Sequence, residues 1–468
     1  MDSDQRISKL RGMGKTFRFY DLNQQLLLPP DLHQWLGEEH LALYVSDVVE
    51  SLDLSGIMKE YDEGDLRGRP PYHPALMIKL LIYGYCTGRM SSRKLEQATY
   101  DDVAFRVLSC NQQPDHDSIA AFRKRHLKEL GRLFVQVLQL CERAGLVKLG
   151  HVAIDGTKIK ANAAPNKSLS YARLKDDEQQ LVAAVAQLLG EAQRIDEEED
   201  ELYGQGRRGD ELPPELRNRE RRLAKIQALI AEMEAEAKAA AEREVAEKNK
   251  PVAERQRRNW RRKWRVSEAG EILPPAKSKR NLTDPDSRVM KDLVTQSYHQ
   301  AYNGQIGVDA QAQIIVAAKV VQAGNDRQQL VPVLQAIADN LGRMPEAASA
   351  DGGYFSTAAL THEAVSEVNL HVPPSQPKTG KESWAESLPA SATIQQRMWH
   401  KLKSAEGRAF YSRRQAIVEP VFAQLKHVRG FRQFLLRGLV HVESEWLLVC
   451  MTHNLLKLFR ATKRHQTA

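Results

Sequence analysis

Two widely separated stretches of this 468-residue chain end the same way, and they set the strongest limit on how it can fold. Val152-Ala153-Ile154 runs into Asp155 and Gly156, and Ala347-Ala348-Ser349-Ala350 runs into Asp351, Gly352 and Gly353. Each reads as a short buried strand delivering a carboxylate to its exposed end, with glycine where the backbone must pass close to a site. An aspartate before a glycine is also a common turn opener, so neither stretch decides the matter alone. A third acid adds weight. Tyr411 to Lys426 reads as a helix, and Glu419, Phe422 and Lys426 fall close to one of its faces. Pro420, directly after Glu419, predicts that the helix starts there or kinks, because proline lacks the backbone donor and crowds the preceding turn. Glu406 is the fallback for the third acid. Two strand-borne aspartates and a helix-borne glutamate suit a pair of Mg²⁺ ions, which take oxygen ligands and keep several waters; Mn²⁺ is the natural substitute.

The rest of the chain can be arranged around these stretches. Residues 1–70 read as a helical lead-in and 71–148 as a helical domain, in which Leu76, Met77, Leu80, Leu81 and Tyr83 share an apolar side and Ser91 or Ser92 starts the next helix. Asp115-His116-Asp117-Ser118 reads as a helix cap rather than a metal site, and the helix it opens carries Arg123, Lys124 and Arg125. Short helices with such a basic triplet fit a helix-turn-helix reader of duplex DNA, and they fit a solvated basic face equally well.

Residues 166–295 do not suit a compact sheet. Leu174, Leu181, Val185 and Leu188 step by helical intervals, as do Leu223, Ile226, Ile230 and Met233, with a Gly- and Pro-containing break between. The economical reading is an antiparallel helical hairpin, a coiled-coil arm inserted after the first strand. Beyond it lies the densest basic run, in which Arg257, Arg258, Trp260, Arg261 and Arg262 suit phosphate neutralisation with base stacking. A surface helix paired with the acidic first arm is the competing reading.

Residues 149–165 and 296–468 then make the core. Gln305 to Ala310 alternates polar and apolar and, with Ile314 to Val321, predicts an antiparallel hairpin. Asp326 is expected to cap a helix bearing Leu330, Leu334, Ile337 and Leu341; the strand ending at Asp351 follows, then a helix from Thr357 and a last strand at Leu370 to Pro373.

The Ile154-Asp155-Gly156-Thr157 run, the Asp351-Gly352-Gly353-Tyr354 run, and Glu419 with Lys426 seven positions on resemble the motifs of DDE transposases of bacterial insertion sequences. The resemblance implies a ribonuclease-H-like mixed sheet of α+β or α/β class, with an N-terminal helical domain and an inserted arm. It implies Asp155, Asp351 and Glu419 as metal-binding catalytic acids for cleavage and strand transfer of element ends, with Tyr411, Arg414 and Lys426 on a terminal phosphate. The family leaves three residues between the arginine and the glutamate, whereas Arg414 and Glu419 have four between them. Double-stranded DNA and a second copy of the chain are the implied partners.

Composition agrees without deciding. A net charge of +8 and a pI of about 9.1 favour a polyanionic partner. Cys86, Cys110, Cys141 and Cys450 show no paired spacing and read as reduced buried thiols. No stretch approaches the roughly 18 apolar residues of a membrane span, so a cytoplasmic protein, on the nucleoid when bound to DNA, is expected. Two other functions compete: a metal-dependent nuclease on the same core that only hydrolyses, and a non-catalytic DNA-binding protein.

Overall fold

The computed structural model describes residues 32–62, 70–203, 214–258, 273–292, 296–374, 388 and 391–466. Among the described residues seven α-helices come first: α1 (Leu41–Ser51), α2 (Ser55–Asp62), α3 (Pro74–Thr87), α4 (Ser92–Asp101), α5 (Val103–Leu108), α6 (His116–Arg125) and α7 (Leu127–Arg143). Helix α3 is apolar on nearly every side, buries Leu76 to Ile78 and Leu80 to Cys86, and stops at Gly88, whose φ of 80° only glycine adopts freely. Asp115 caps α6 as the sequence predicts, its carboxylate accepting the Ser118 N–H at 2.8 Å.

Eight strands follow among the described residues. They are β1 (Val152–Lys160), β2 (Ser168–Ser170), β3 (Lys279–Asn281), β4 (Arg288–Lys291), β5 (Tyr298–Asp309), β6 (Ile315–Val321), β7 (Ala347–Ala350) and β8 (Asn369–His371). The main sheet runs β4-β5-β1-β7-β8, with β6 also on β5. Strands β4, β6 and β1 are antiparallel to β5, and β1, β7 and β8 are parallel to one another. The hairpin and the last strand fall where the sequence placed them. The sheet also takes in Arg288–Lys291, which lies within the stretch expected to be insertion.

Helices cover both faces. Besides α8 (Tyr171–Tyr203) and α9 (Pro214–Arg258), the later helices are α10 (Leu330–Leu341), α11 (Thr357–Leu360), α12 (Ile394–Lys403), α13 (Ala405–Ala423) and α14 (Leu439–Gln466). A Cβ on Gly307 would meet Ile337 of α10, whereas one on Gly304 would meet Trp446 of α14. Because side chains alternate along β5, α10 and α14 lie on opposite sides of the sheet. One apolar cluster runs from Ala42 to Leu458, so the early helices and the sheet share a core. Glu445 of α14 ties them further: it accepts the Tyr85 phenol at 3.0 Å and the Leu435 and Leu436 N–H groups.

The arm is α8 (Tyr171–Tyr203) and α9 (Pro214–Arg258). Tyr171 reaches Glu234 at 2.6 Å and Asp177 reaches Arg222 at 3.4 Å, so one index falls as the other rises and the helices are antiparallel. A second apolar cluster, Leu169, Tyr171, Leu174, Ile226, Leu229, Ile230 and Met233, fixes the pairing near the root, where β2 pairs with β3. Among the described residues no helix is long and apolar enough to cross a membrane. Cys86, Cys141 and Cys450 are free and buried; Cys110, expected buried as well, is exposed in a turn.

Candidate active site

Strand β1 does not end at Asp155 but continues to Lys160, so Gly156 is no turn residue. Its register with β7 pairs Ile154 with Ala350, which makes Asp155 and Asp351 neighbours at adjoining parallel strands. At Asp351 β7 is over, and the carboxylate caps the 3₁₀ turn Gly352–Tyr354 by accepting the Gly353 N–H at 2.9 Å. Asp155 accepts its own neighbour's N–H, that of Gly156, at 2.8 Å, and pairs with Arg414 at 3.0 Å. Burial pushes the Asp155 carboxyl up to about 6, against the pull of Arg414, and the like charge of Asp351 adds to the rise. The guanidinium stands 6.0 Å from the Tyr411 ring, and its buried Nε has no hydrogen-bond partner among the described residues.

Helix α13 is held at that spot by rings. Phe410 is sandwiched between His151 at 3.9 Å and His371 at 4.2 Å, and both imidazoles are kept neutral, burial lowering each to about 4. Pro420 neither starts nor breaks the helix. Its ring removes the donor for the Ala416 carbonyl, and the Gln313 side chain donates to that carbonyl instead at 2.9 Å. A π turn, Gln424–Val428, follows, and in it Lys426 donates to the Lys158 carbonyl at 3.1 Å. Glu419 and Glu406 are exposed. Among the described residues no three His, Cys, Asp or Glu side chains form a metal-holding group, and the side chain paired with Asp155 is Arg414.

Comparison with known families gives two matches. The Transposase domain (DUF772) matches residues 30–125, and the Transposase DDE domain matches residues 378–459. The two matches support a DDE transposase of an insertion element. Neither curated proteins nor solved structures gave a match. The second matched segment carries Tyr411, Arg414, Glu419 and Lys426, and Asp155 and Asp351 lie between the two segments.

In the structure the expected DNA-contacting residues separate. Lys124 and Arg125 are exposed on α6, but Arg123 is buried, its guanidinium donating to the Tyr85 phenol at 3.3 Å and the Met90 carbonyl at 3.1 Å. Arg123 is thereby withdrawn from the DNA-facing set: the core needs its charge opposite the buried Glu445. Arg257 and Arg258 close α9, with side chains that are not described, and Trp260, Arg261 and Arg262 lie outside the described residues. One set of residues was missed. Asp326 does not cap α10, whose N-cap is Gln329; its carboxylate instead accepts the side-chain amides of Asn303 at 2.7 Å and Gln305 at 2.6 Å, beneath Gly156. The signal was the polar alternation along β5, which reads as a solvated face but is buried at Asn303, Gln305 and Asp309.

Proposed function

We propose that the chain cuts the ends of its element at phosphodiester bonds and joins them to target DNA in a metal-dependent reaction centred on Asp155 and Asp351. The observation that carries this reading is the neighbouring position of the two aspartates, with burial, and secondarily the like charge of Asp351, raising the Asp155 pKa and Arg414 paired against it. An all-oxygen pair with excess negative charge is the donor set that Mg²⁺ or Mn²⁺ takes. Asp155 and Asp351 would hold the ions, and Glu419, one helical face away, would complete the set. Bound there, two ions would strengthen a water or a DNA 3′-hydroxyl as nucleophile and offset charge on the departing oxygen.

The chain's own groups do the remaining work. Arg414 pairs with Asp155, and its Nε, without a partner among the described residues, is a donor suited to a phosphate oxygen. Tyr411 stacks behind it. Lys426, whose burial lowers its ammonium pKa, is held on the same strand three residues beyond Asp155 and supplies charge toward the bound strand. No covalent protein intermediate is needed.

The sheet order β6-β5-β1-β7-β8, three antiparallel strands followed by two parallel ones, supports a ribonuclease-H-like core. We assign residues 71–148, with Lys124 and Arg125, to DNA recognition, 166–295 to an arm that bridges two copies on two element ends, and 149–165 with 296–468 to catalysis. Asp155→Ala is the test. Cleavage of a duplex carrying the element end in Mg²⁺ should fall to background while the gel-shift affinity for that duplex stays within about 3-fold, since phosphate contacts carry binding. Full metal-dependent cleavage by the variant would refute the assignment. Pre-cut ends with a free 3′-hydroxyl should yield joined product, and release without joining would favour a nuclease.

A further inference from the structure

We propose that Asp326 is a positioning residue: through Gln305 and Tyr354 it locks the turn that carries Asp351. The inference rests on the reading that Asp155 and Asp351 share the cation. The lock lies on the far side of β1 from the Asp155 carboxylate. Register pairs Asp155 with Ile306 and Gly156 with Gln305, and paired residues share a face, so Asp155 points to one side of the sheet and Gln305 to the other.

Gln305 is fully buried, and a buried amide has two orientations that differ in which end accepts. Asp326 Oδ1 takes the Gln305 Nε2 donor at 2.6 Å and the Asn303 Nδ2 donor at 2.7 Å. The charged acceptor therefore fixes the nitrogen end, and the oxygen end must face away. There it accepts the phenol of Tyr354, itself fully buried. Tyr354 is the last residue of the turn that Asp351 caps. A flipped Gln305 would set its N–H₂ against the phenol, and in a dry pocket that loss has no water to repair it.

The glycines beside both aspartates fit around this network. A Cβ on Gly156 would stand 2.3 Å from Gln305 Nε2 and 2.8 Å from Asp326 Oδ1, and one on Gly353 would stand 3.8 Å from Asp326 Oδ2. The carboxylate thus lies under both glycines. Its hydrogen bonds run to Asn303 and Gln305 and not to either aspartate.

The test uses the full chain and Mn²⁺ alone, with free ion counted by electron paramagnetic resonance and backbone mobility by amide exchange. Tyr354→Phe, which removes one hydroxyl, and Asp326→Ala should each weaken Mn²⁺ binding about 10-fold, the usual effect of a residue that orients a ligand. Both should speed exchange in the 352–355 segment. Asp326→Asn keeps an oxygen for both amides and should stay within about 2-fold of wild type, and the double variant should be no worse than the weaker single one. Unchanged exchange and binding in Asp326→Ala, equal damage from Asp326→Asn, or additive losses would each overturn the lock. Asp155→Ala separates the two proposals. If that variant still binds Mn²⁺, the shared-cation reading fails, and the exchange rates alone then judge the lock.

Discussion

The two faces of β1 at Asp155 and Gly156 are built on opposite principles. On the Asp155 face a carboxylate is buried at a cost, with one ion pair and an arginine Nε left unpartnered. On the Gly156 face Asn303, Gln305, Asp326 and Tyr354 are joined by a chain of hydrogen bonds. The difference teaches where a ligand is expected: the incomplete face has donors and charge to offer, and the complete face has only stiffness. Gly156→Ala breaks this comparison with the largest expected effect. Its Cβ would press on the Gln305 amide and the Asp326 carboxylate, and overpacking of this kind costs about 1–3 kcal/mol. Urea melts should show the loss, and a variant as stable as wild type would mean that the network yields freely.

The open face is probed by pH. The Asp155 pKa is raised to about 6 in the fold, from an ordinary value near 3.8. The folded state then holds the proton more tightly than the unfolded one, so this group's stabilising contribution is complete below about pH 4 and lost as pH rises through about 6. In metal-free protein Asp155→Asn should therefore be more stable than wild type at pH 8 by on the order of 2 kcal/mol, with the gain fading toward pH 4. Parallel denaturation midpoints from pH 4 to 8 would contradict a strained carboxylate. The complete face predicts the reverse for Asn303→Ala, a modest loss with little pH dependence over the same range.

The two faces were unequally legible in the sequence. Asp155 and Asp351 stood out because a run of small apolar residues before Asp-Gly is a local pattern. The reason for Gly156 did not, since the atoms that exclude a Cβ belong to Gln305 and Asp326, far along the chain. Alternation along β5 gave the strand correctly but not the burial of its polar side, which depends on α10 covering that face. Periodicity likewise gave the arm, whereas β4 is too short to carry a pattern of its own. Arg123 looked like its neighbours Lys124 and Arg125; only the packing of Tyr85 and Glu445 against α6 tells it apart.

Pro420 offers the finest comparison, between a helix repaired from outside and one that repairs itself. Sequence rules expected a start or kink there, and α13 runs on because Gln313, held at a φ of 59°, reaches the orphaned Ala416 carbonyl. That donor sits on the loop between β5 and β6, so the helix bearing Arg414 and Glu419 is pinned to the sheet by the bond its own proline made necessary. Gln313→Ala should destabilise the wild-type chain by about 1 kcal/mol, the usual net worth of one such bond. In a Pro420→Ala background the backbone N–H of residue 420 can serve Ala416, and the same substitution should cost little. A double-mutant cycle on denaturation midpoints measures the coupling. Equal costs in both backgrounds would mean that the Gln313 side chain acts through its bond with Lys457 of α14, and that α13 tolerates its proline unaided.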